Sequence, residues 1–180
     1  MDAHGAPAGA EESPGLLGLG SNVGERRANL QAAVDALGRA GVRVLASSCT
    51  YDTDPVGEVL EQPTFLNACV SIATALAPLE LLDAVKQIER ELGRGEPVRR
   101  HGPRPIDIDV LLLGAHELRH ERMTLPHEQL LSRRFVLIPA LELDLELRAP
   151  DGTRLADALL ALDVHEGVRW AGEPLAVAAL

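Results

Sequence analysis

Arg100-His101-Gly102-Pro103-Arg104-Pro105-Ile106-Asp107-Ile108-Asp109-Val110-Leu111 decides how the chain is read. A loop with two Arg, a Gly and two Pro runs into an apolar strand. Strand side chains alternate faces, so Asp107 and Asp109 point one way and Ile106, Ile108 and Val110 the other. The two carboxylates lie two residue rises apart, roughly 6–7 Å. That spacing can hold hard cations between the pair and a phosphate. The competing reading is a solvated face of a half-buried strand. Asp is depleted in strands and two on one face repel, which counts against it. The Asp face is also expected to continue as Leu111 and Leu113, so it is not uniformly wet.

Composition narrows the partners. At 180 residues the chain is long enough for one domain with a real core. A net charge of −10 argues against a general nucleic-acid binder. Yet Arg90, Arg94, Arg99, Arg100 and Arg104 crowd one segment, as a small anionic ligand would require. A solvated loop balancing Glu89, Glu91 and Glu96 is the plainer reading of Arg90 and Arg99. No apolar run approaches the ~18 residues of a membrane span. Residues 1–14 have no apolar core of a signal peptide and read as a disordered acidic tail. Cys49 and Cys69 form no C-x-x-C and no metal spacing, and read as free thiols of a reducing cytoplasm.

Outward from the Asp strand, the order is β-α-β, β-α-β. Residues 15–20 (Gly-Leu-Leu-Gly-Leu-Gly) read as a buried first strand. Ser21-Asn22-Val23-Gly24 follows as a turn able to cap a helix over 25–39. Gly18, Gly20 and Gly24 are one residue too widely spaced for a dinucleotide fingerprint and lack a P-loop Lys, so they read as turn glycines. Residues 42–50 read as a second strand, 51–63 as a long loop, and 65–75 as a third strand carrying Asn67. An amide there needs a partner, either a ligand or a neighbouring backbone group. Pro78 opens a helix that Gly93 ends. Residues 94–105 form a second long loop. Helices are expected near 128–133, 135–141 and 155–162, a strand over 145–149, and a turn at Asp151-Gly152. The division is a tail over 1–14, a domain over 15–170 and a C-terminal tail over 171–180. The fold class is α+β, a ferredoxin-like α/β sandwich with a mostly antiparallel sheet and flanking helices.

These residues resemble one family, 6-hydroxymethyl-7,8-dihydropterin pyrophosphokinase of folate biosynthesis. The likeness runs over about 17–162. Its most specific part is Arg100-x-Gly102-Pro103-Arg104-x-x-Asp107-Ile108-Asp109-Val110-Leu111. Gly20-Ser21-Asn22, Thr53-x-Pro55-x-Gly57, Gln62-Pro63-x-Phe65-Leu66-Asn67-Ala68, Ile88-Glu89 before Gly93-Arg94, and Leu125-Pro126-His127 with Arg133 and Phe135 support it. A lone D-x-D would be weak; these blocks in this order are specific.

The resemblance implies transfer of the β,γ-diphosphoryl group of ATP to the pterin hydroxymethyl oxygen, with release of AMP. It implies two Mg²⁺ held by Asp107 and Asp109, and Arg94 and Arg104 closing on the phosphates. It places Glu89, Arg100, Arg122, Thr124 and His127 on the ATP side. The pterin falls to Thr53, Pro55, Val56, Gly57, Phe65, Asn67, Arg133 and Phe135. An aromatic face and an amide suit a flat heterocycle, although Phe135 also reads as plain core. The expected partners are ATP and the pterin alone, with no nucleic acid, no membrane and no need for more than a monomer. His101 stands where many relatives have Trp, Glu96 and Pro97 where relatives can carry basic residues, and Glu128 where a Tyr often follows Pro-His. These departures bear on loop closure.

Two other classes remain. A nucleotidyltransferase also pairs a Gly-Ser turn with D-x-D, but there the two lie close in sequence; here Ser21 and Asp107 are far apart. A non-catalytic ferredoxin-like binding domain would not need paired strand carboxylates beside arginines. A degenerate pseudo-enzyme is a third reading, resting on the loop departures.

Overall fold

The first strand sets the plan through its alternation. Leu17 and Leu19 enter one apolar cluster, while Leu16 enters another on the opposite face. A sheet so built needs cover on both sides. The computed structural model, which describes residues 11–55, 61–93, 103–165 and 167–179, supplies it. In chain order the elements are β1 (Ser13–Ser21), α1 (Arg26–Arg39), β2 (Arg43–Ser47), β3 (Thr50–Thr53), β4 (Phe65–Thr74), α2 (Pro78–Glu91), β5 (Asp107–Leu113), β6 (Leu118–His120), β7 (Met123–Leu125), α3 (Arg134–Leu143), α4 (Leu155–Ala161) and β8 (Val168–Gly172).

The main sheet has the order β5-β1-β4-β3-β8, with β2 also pairing β4, and every described pairing in it is antiparallel. With β2 and β3 sharing one lane, this is the ferredoxin-like order. On one face α1 and α2 bury Leu30, Leu37, Leu81 and Ile88 against Leu17, Leu19, Ile108 and Val110. On the other, α3 and α4 cover Leu16, Cys69, Leu111 and Leu112. They cover only part of that face, and the remainder is the cavity described below.

Several local expectations change. The strand expected over 42–50 is split. Leu45 is the extra residue of a bulge against β4, and a new strand, β3, begins at Thr50, the last residue of the expected strand, and runs into the expected loop. The helix expected near 128–133 is a run of turns, closed by Leu130 N–H to the His127 carbonyl and Ser132 N–H to the Gln129 carbonyl. The strand expected over 145–149 reduces to a single bridge, Arg148 with Arg154. β6 and β7 form a hairpin too short for periodicity to reveal. Ser21 and Asn22 do not cap α1, whose N-cap is Glu25 without a side-chain bond. The chain end expected as a tail from 171 carries the last residues of β8, and Leu175 beyond it is buried in the α1 cluster.

Candidate active site

β5 carries the acid pair. Ile106, Ile108 and Val110 are buried on the helix side, which turns Asp107 and Asp109 to the opposite face. Leu17 pairs with Val110 and Leu16 with Leu112, so Leu111 is an extra residue in β5. This bulge follows the acid pair directly, a position bulges often take beside active sites. It also corrects the expected continuation of the Asp face. Leu111 stays on that face, but Leu113 has crossed to the helix side.

Register then assembles a floor. Gly20 lies between Asp107 on β5 and Asn67 on β4, and Gly18 between Asp109 and Cys69. Neither glycine is in a turn; only Gly24 of the three has positive φ, at 69°. Their role is space. A Cβ on Gly20 would sit 2.8 Å from Asn67 Oδ1 and 3.7 Å from a Phe65 ring carbon. A Cβ on Gly18 would sit 3.4 Å from Leu111. Above these two positions opens a cavity of about 390 Å³, the size of a small-ligand site.

Eight of the expected site residues line that cavity: Thr53, Phe65, Asn67, Arg104, Asp107, Asp109, Arg133 and Phe135. Asn67 is buried and its Nδ2 donates to Thr53 Oγ1 at 2.5 Å. Arg104 pairs with Asp107 at 2.9 Å and lies over the Phe65 ring at 5.4 Å, joining the phosphate end to the aromatic end. Its backbone is fixed by Asn22. Asn22 Oδ1 accepts the Arg104 N–H at 2.8 Å, and Asn22 N–H donates to the Arg104 carbonyl at 3.2 Å. Asn22 Nδ2 donates to Gln62 Oε1 and the Pro63 carbonyl. One buried amide therefore ties the chain at Gln62 and Pro63 to the chain at Arg104. Glu142 fastens α3, which presents Phe135, to the sheet: it accepts from the Cys49 N–H at 2.8 Å and the Tyr51 hydroxyl at 2.7 Å.

The charge on the acid pair is strained. Burial, and then the charge of Asp107, push the Asp109 carboxyl up to about 7, against the pull of Lys86 and Arg104. A cation beside the two carboxylates would relieve that repulsion. Beside it, His127 is positioned by its N–H to the Leu111 carbonyl at 3.0 Å and by Nδ1 accepting the Gln129 N–H at 3.1 Å. That bond leaves the hydrogen of the neutral ring on Nε2, which faces Asp109 Oδ1 at 4.0 Å. Burial holds the His127 pKa below its ordinary value, so the ring is neutral at pH 7. Among the described residues no group of three or more acidic, His or Cys side chains could hold a metal alone. Two carboxylates fit Mg²⁺, which commonly takes one or two protein carboxylates and completes its shell with substrate phosphates and water.

The other expected residues fall elsewhere. Glu89 does not line the cavity. It is buried behind β5, where Oε1 accepts the Ile108 N–H at 2.7 Å between the two aspartates, with Lys86 at 3.1 Å. Thr124 lies on β7, and Arg122, in the β6–β7 turn, pairs with Asp83 of α2. Pro55 follows the cavity-lining Asp54 without lining the cavity itself. Val56, Gly57, Arg94 and Arg100, with Glu96, Pro97 and His101, lie outside the described residues. Gly18, Gly20, Asp54, Cys69 and Gln129 line the cavity and were not expected to. Ser21 is fully buried with Oγ accepting from Asn29 Nδ2, away from the acid pair, which removes the Gly-Ser element of the nucleotidyltransferase reading.

Comparison with known proteins agrees with this geometry. Residues 16–145 match the family model of 7,8-dihydro-6-hydroxymethylpterin-pyrophosphokinase. The 2-amino-4-hydroxy-6-hydroxymethyldihydropteridine pyrophosphokinase of Pseudomonas aeruginosa is 44% identical over 153 residues, covering 84% of this chain and 93% of that protein. The Arabidopsis thaliana folate synthesis bifunctional protein is 40% identical over 152 residues, and there the chain spans 31% of the relative's length. The fold resembles the crystal structure of Plasmodium falciparum wild-type HPPK-DHPS with pteroate, at TM-score 0.66 and 12% identity, covering 83% of this chain and 44% of that one. The chain belongs to the 7,8-dihydro-6-hydroxymethylpterin-pyrophosphokinase family.

Proposed function

We propose that this chain transfers diphosphate from ATP to 6-hydroxymethyl-7,8-dihydropterin in folate biosynthesis. The observation that carries the reading is the Asp107–Gly20–Asn67 row across three strands. It brings an acid suited to a cation and an amide suited to a heterocycle onto one floor, with a glycine between them. The pterin hydroxymethyl oxygen attacks the β-phosphorus, the bond from that phosphorus to the α-phosphate oxygen breaks, AMP leaves, and the hydroxyl proton is released.

The chain's own part is positioning and electrostatics. Asn67 and Thr53 offer polar edges to the heterocycle, and Phe65 and Phe135 its faces. Asp107 and Asp109 would hold two Mg²⁺, which supply neutralisation of charge on the phosphates. Arg104 adds a fixed cation beside them, and His127 presents Nε2–H toward the same place. Arg133 lines the cavity on the α3 side. Arg94 and Arg100 are assigned to the phosphates, Arg122 and Thr124 to the nucleotide, and Val56 and Gly57 to the pterin, on the resemblance alone. We also assign the chain to the cytoplasm as a monomer; its two free thiols suit a reducing compartment. No described helix is long and apolar enough to cross a membrane.

Product analysis tests this. With MgATP and the pterin, the expected products are AMP and pterin diphosphate in equal amounts. ADP as product, or no turnover, overturns the reading. We further propose an order of binding, MgATP before the pterin. Pterin is expected to bind tightly only when a non-hydrolysable MgATP analogue is present. Equal pterin affinity with and without the analogue would contradict that order.

A further inference from the structure

The family match ends at residue 145, yet the chain continues into α4 and β8, and β8 pairs with β3, the strand that delivers Thr53 and Asp54 to the cavity. β8 grips the end of β3 in three ways. The Asp54 N–H points to the Gly167 carbonyl at 3.4 Å. The Asp54 carboxylate takes both arms of the Arg169 guanidinium, at 3.0 and 3.4 Å. Gly167 makes room for that pair, because a Cβ there would sit 2.4 Å from Asp54 Oδ2 and 2.9 Å from Arg169 Nη1.

The far end of β8 is fixed as well. Arg27 of α1 donates to the Glu173 and Pro174 carbonyls at 2.9 and 3.0 Å. Gln31 exchanges two hydrogen bonds with Ala176, and Leu175 is buried in the α1 cluster. β8 is thus anchored at one end on α1 and at the other on the cavity wall. An edge strand with three of its five residues exposed contributes little burial of its own. Its two ends account for its placement better than its middle does.

We infer that Arg169 is a positioning residue for the pterin: through Asp54 and the space left by Gly167, it fixes the Thr53–Asp54 segment against the heterocycle. The inference rests on the pyrophosphokinase reading for its ligand. Asp54 and Arg169 are each more than half exposed, which sets the scale of the effect. An exposed ion pair is worth little, so loss of the clamp is expected to raise the pterin KM about three- to fivefold.

The test compares the full chain with Arg169→Ala, Arg169→Lys and Gly167→Ala. For Arg169→Ala the expected result is that pterin KM rise, with kcat and the KM for ATP within about a factor of two of wild type. Arg169→Lys recovers part of the loss, and Gly167→Ala, which drives the pair apart, reproduces it. The pterin is uncharged. Added salt at saturating MgATP therefore raises its KM in the wild type and leaves Arg169→Ala unmoved. Hydrogen exchange at Thr53 and Asp54 speeds up in Arg169→Ala.

An unchanged pterin KM in Arg169→Ala overturns the inference, as does an equal change in kcat and both KM values. If the wild type releases no AMP, the pyrophosphokinase reading falls instead. The exchange measurement then still decides the clamp, and unchanged exchange in Arg169→Ala overturns it.

Discussion

The two faces of the central sheet are built from the same strands and obey opposite rules. On β1, Leu17 and Leu19 are buried under α1 and α2, while Gly18 and Gly20 on the other face leave a cavity. On β5, Ile106, Ile108 and Val110 are dry core, while Asp107 and Asp109 repel each other over that cavity. The helix face maximises contact and pairs off the polar groups it buries: Glu89 with Lys86 and the Ile108 N–H, and Ser21 with Asn29. Over the cavity the opposite face gives up contact and holds two like charges together, with Arg104 paired to Asp107. Stability is concentrated on one side and chemistry on the other, one residue apart along the chain.

That contrast can be broken most severely at the acid pair. Asp107→Ala and Asp109→Ala should each lower turnover by about a thousandfold, the scale of a lost electrostatic stabiliser, with little loss of folding stability. Steady-state AMP release and thermal denaturation together check both halves. The mirror experiment is Leu17→Ala. It removes a fully buried side chain and should cost about 2–5 kcal/mol of stability by denaturant titration, while turnover per folded molecule is kept.

Gly20→Ala tests whether a missing side chain is itself a functional feature. Its Cβ would meet Asn67 Oδ1 at 2.8 Å, and that amide or the ligand must shift. Pterin affinity should fall about tenfold, the lower end of what a small misplacement in a site costs, with less effect on ATP. Equal weakening of both ligands would mean that the strand, not the cavity, was damaged.

The smallest effect is on pH. Asp109 keeps its proton up to about 7 in the metal-free site, so a cation must displace it. Mg²⁺ affinity should rise as pH goes from 6 to 8 and then level off, by at most about tenfold per pH unit. The same shift acts on folding. A folded-state pKa above the unfolded one means the folded form binds more protons between the two values. Asp109 therefore favours the metal-free fold at low pH, and that contribution is lost as pH rises through about 7. Asp109→Asn should remove this loss, leaving metal-free stability flatter between pH 5 and 8 than in wild type.

How much of this was legible in the sequence follows the same division. Alternation through Ile106-Asp107-Ile108-Asp109-Val110 marks both faces at once, and Asn67 in an apolar strand asks for a partner. Both readings survive in the structure. Gly18 and Gly20 were not legible as cavity floor, because a glycine writes the same letter for a turn and for an absent side chain. The bulge at Leu111 left no mark in a run of leucines, and so the fate of Leu113 was misread. Asn22 is legible as polar, but its two loop partners, 40 residues or more away, are visible only once folded. β8 escaped because an edge strand needs no apolar alternation to pair, and its value lies in Arg169 meeting Asp54 across 115 residues.

The most direct measurement is AMP formation by wild type, Asp109→Ala and Leu17→Ala, each normalised to folded protein, with MgATP and the pterin in excess. The account predicts near-wild-type turnover for Leu17→Ala and almost none for Asp109→Ala. Turnover of Asp109→Ala equal to wild type would contradict it.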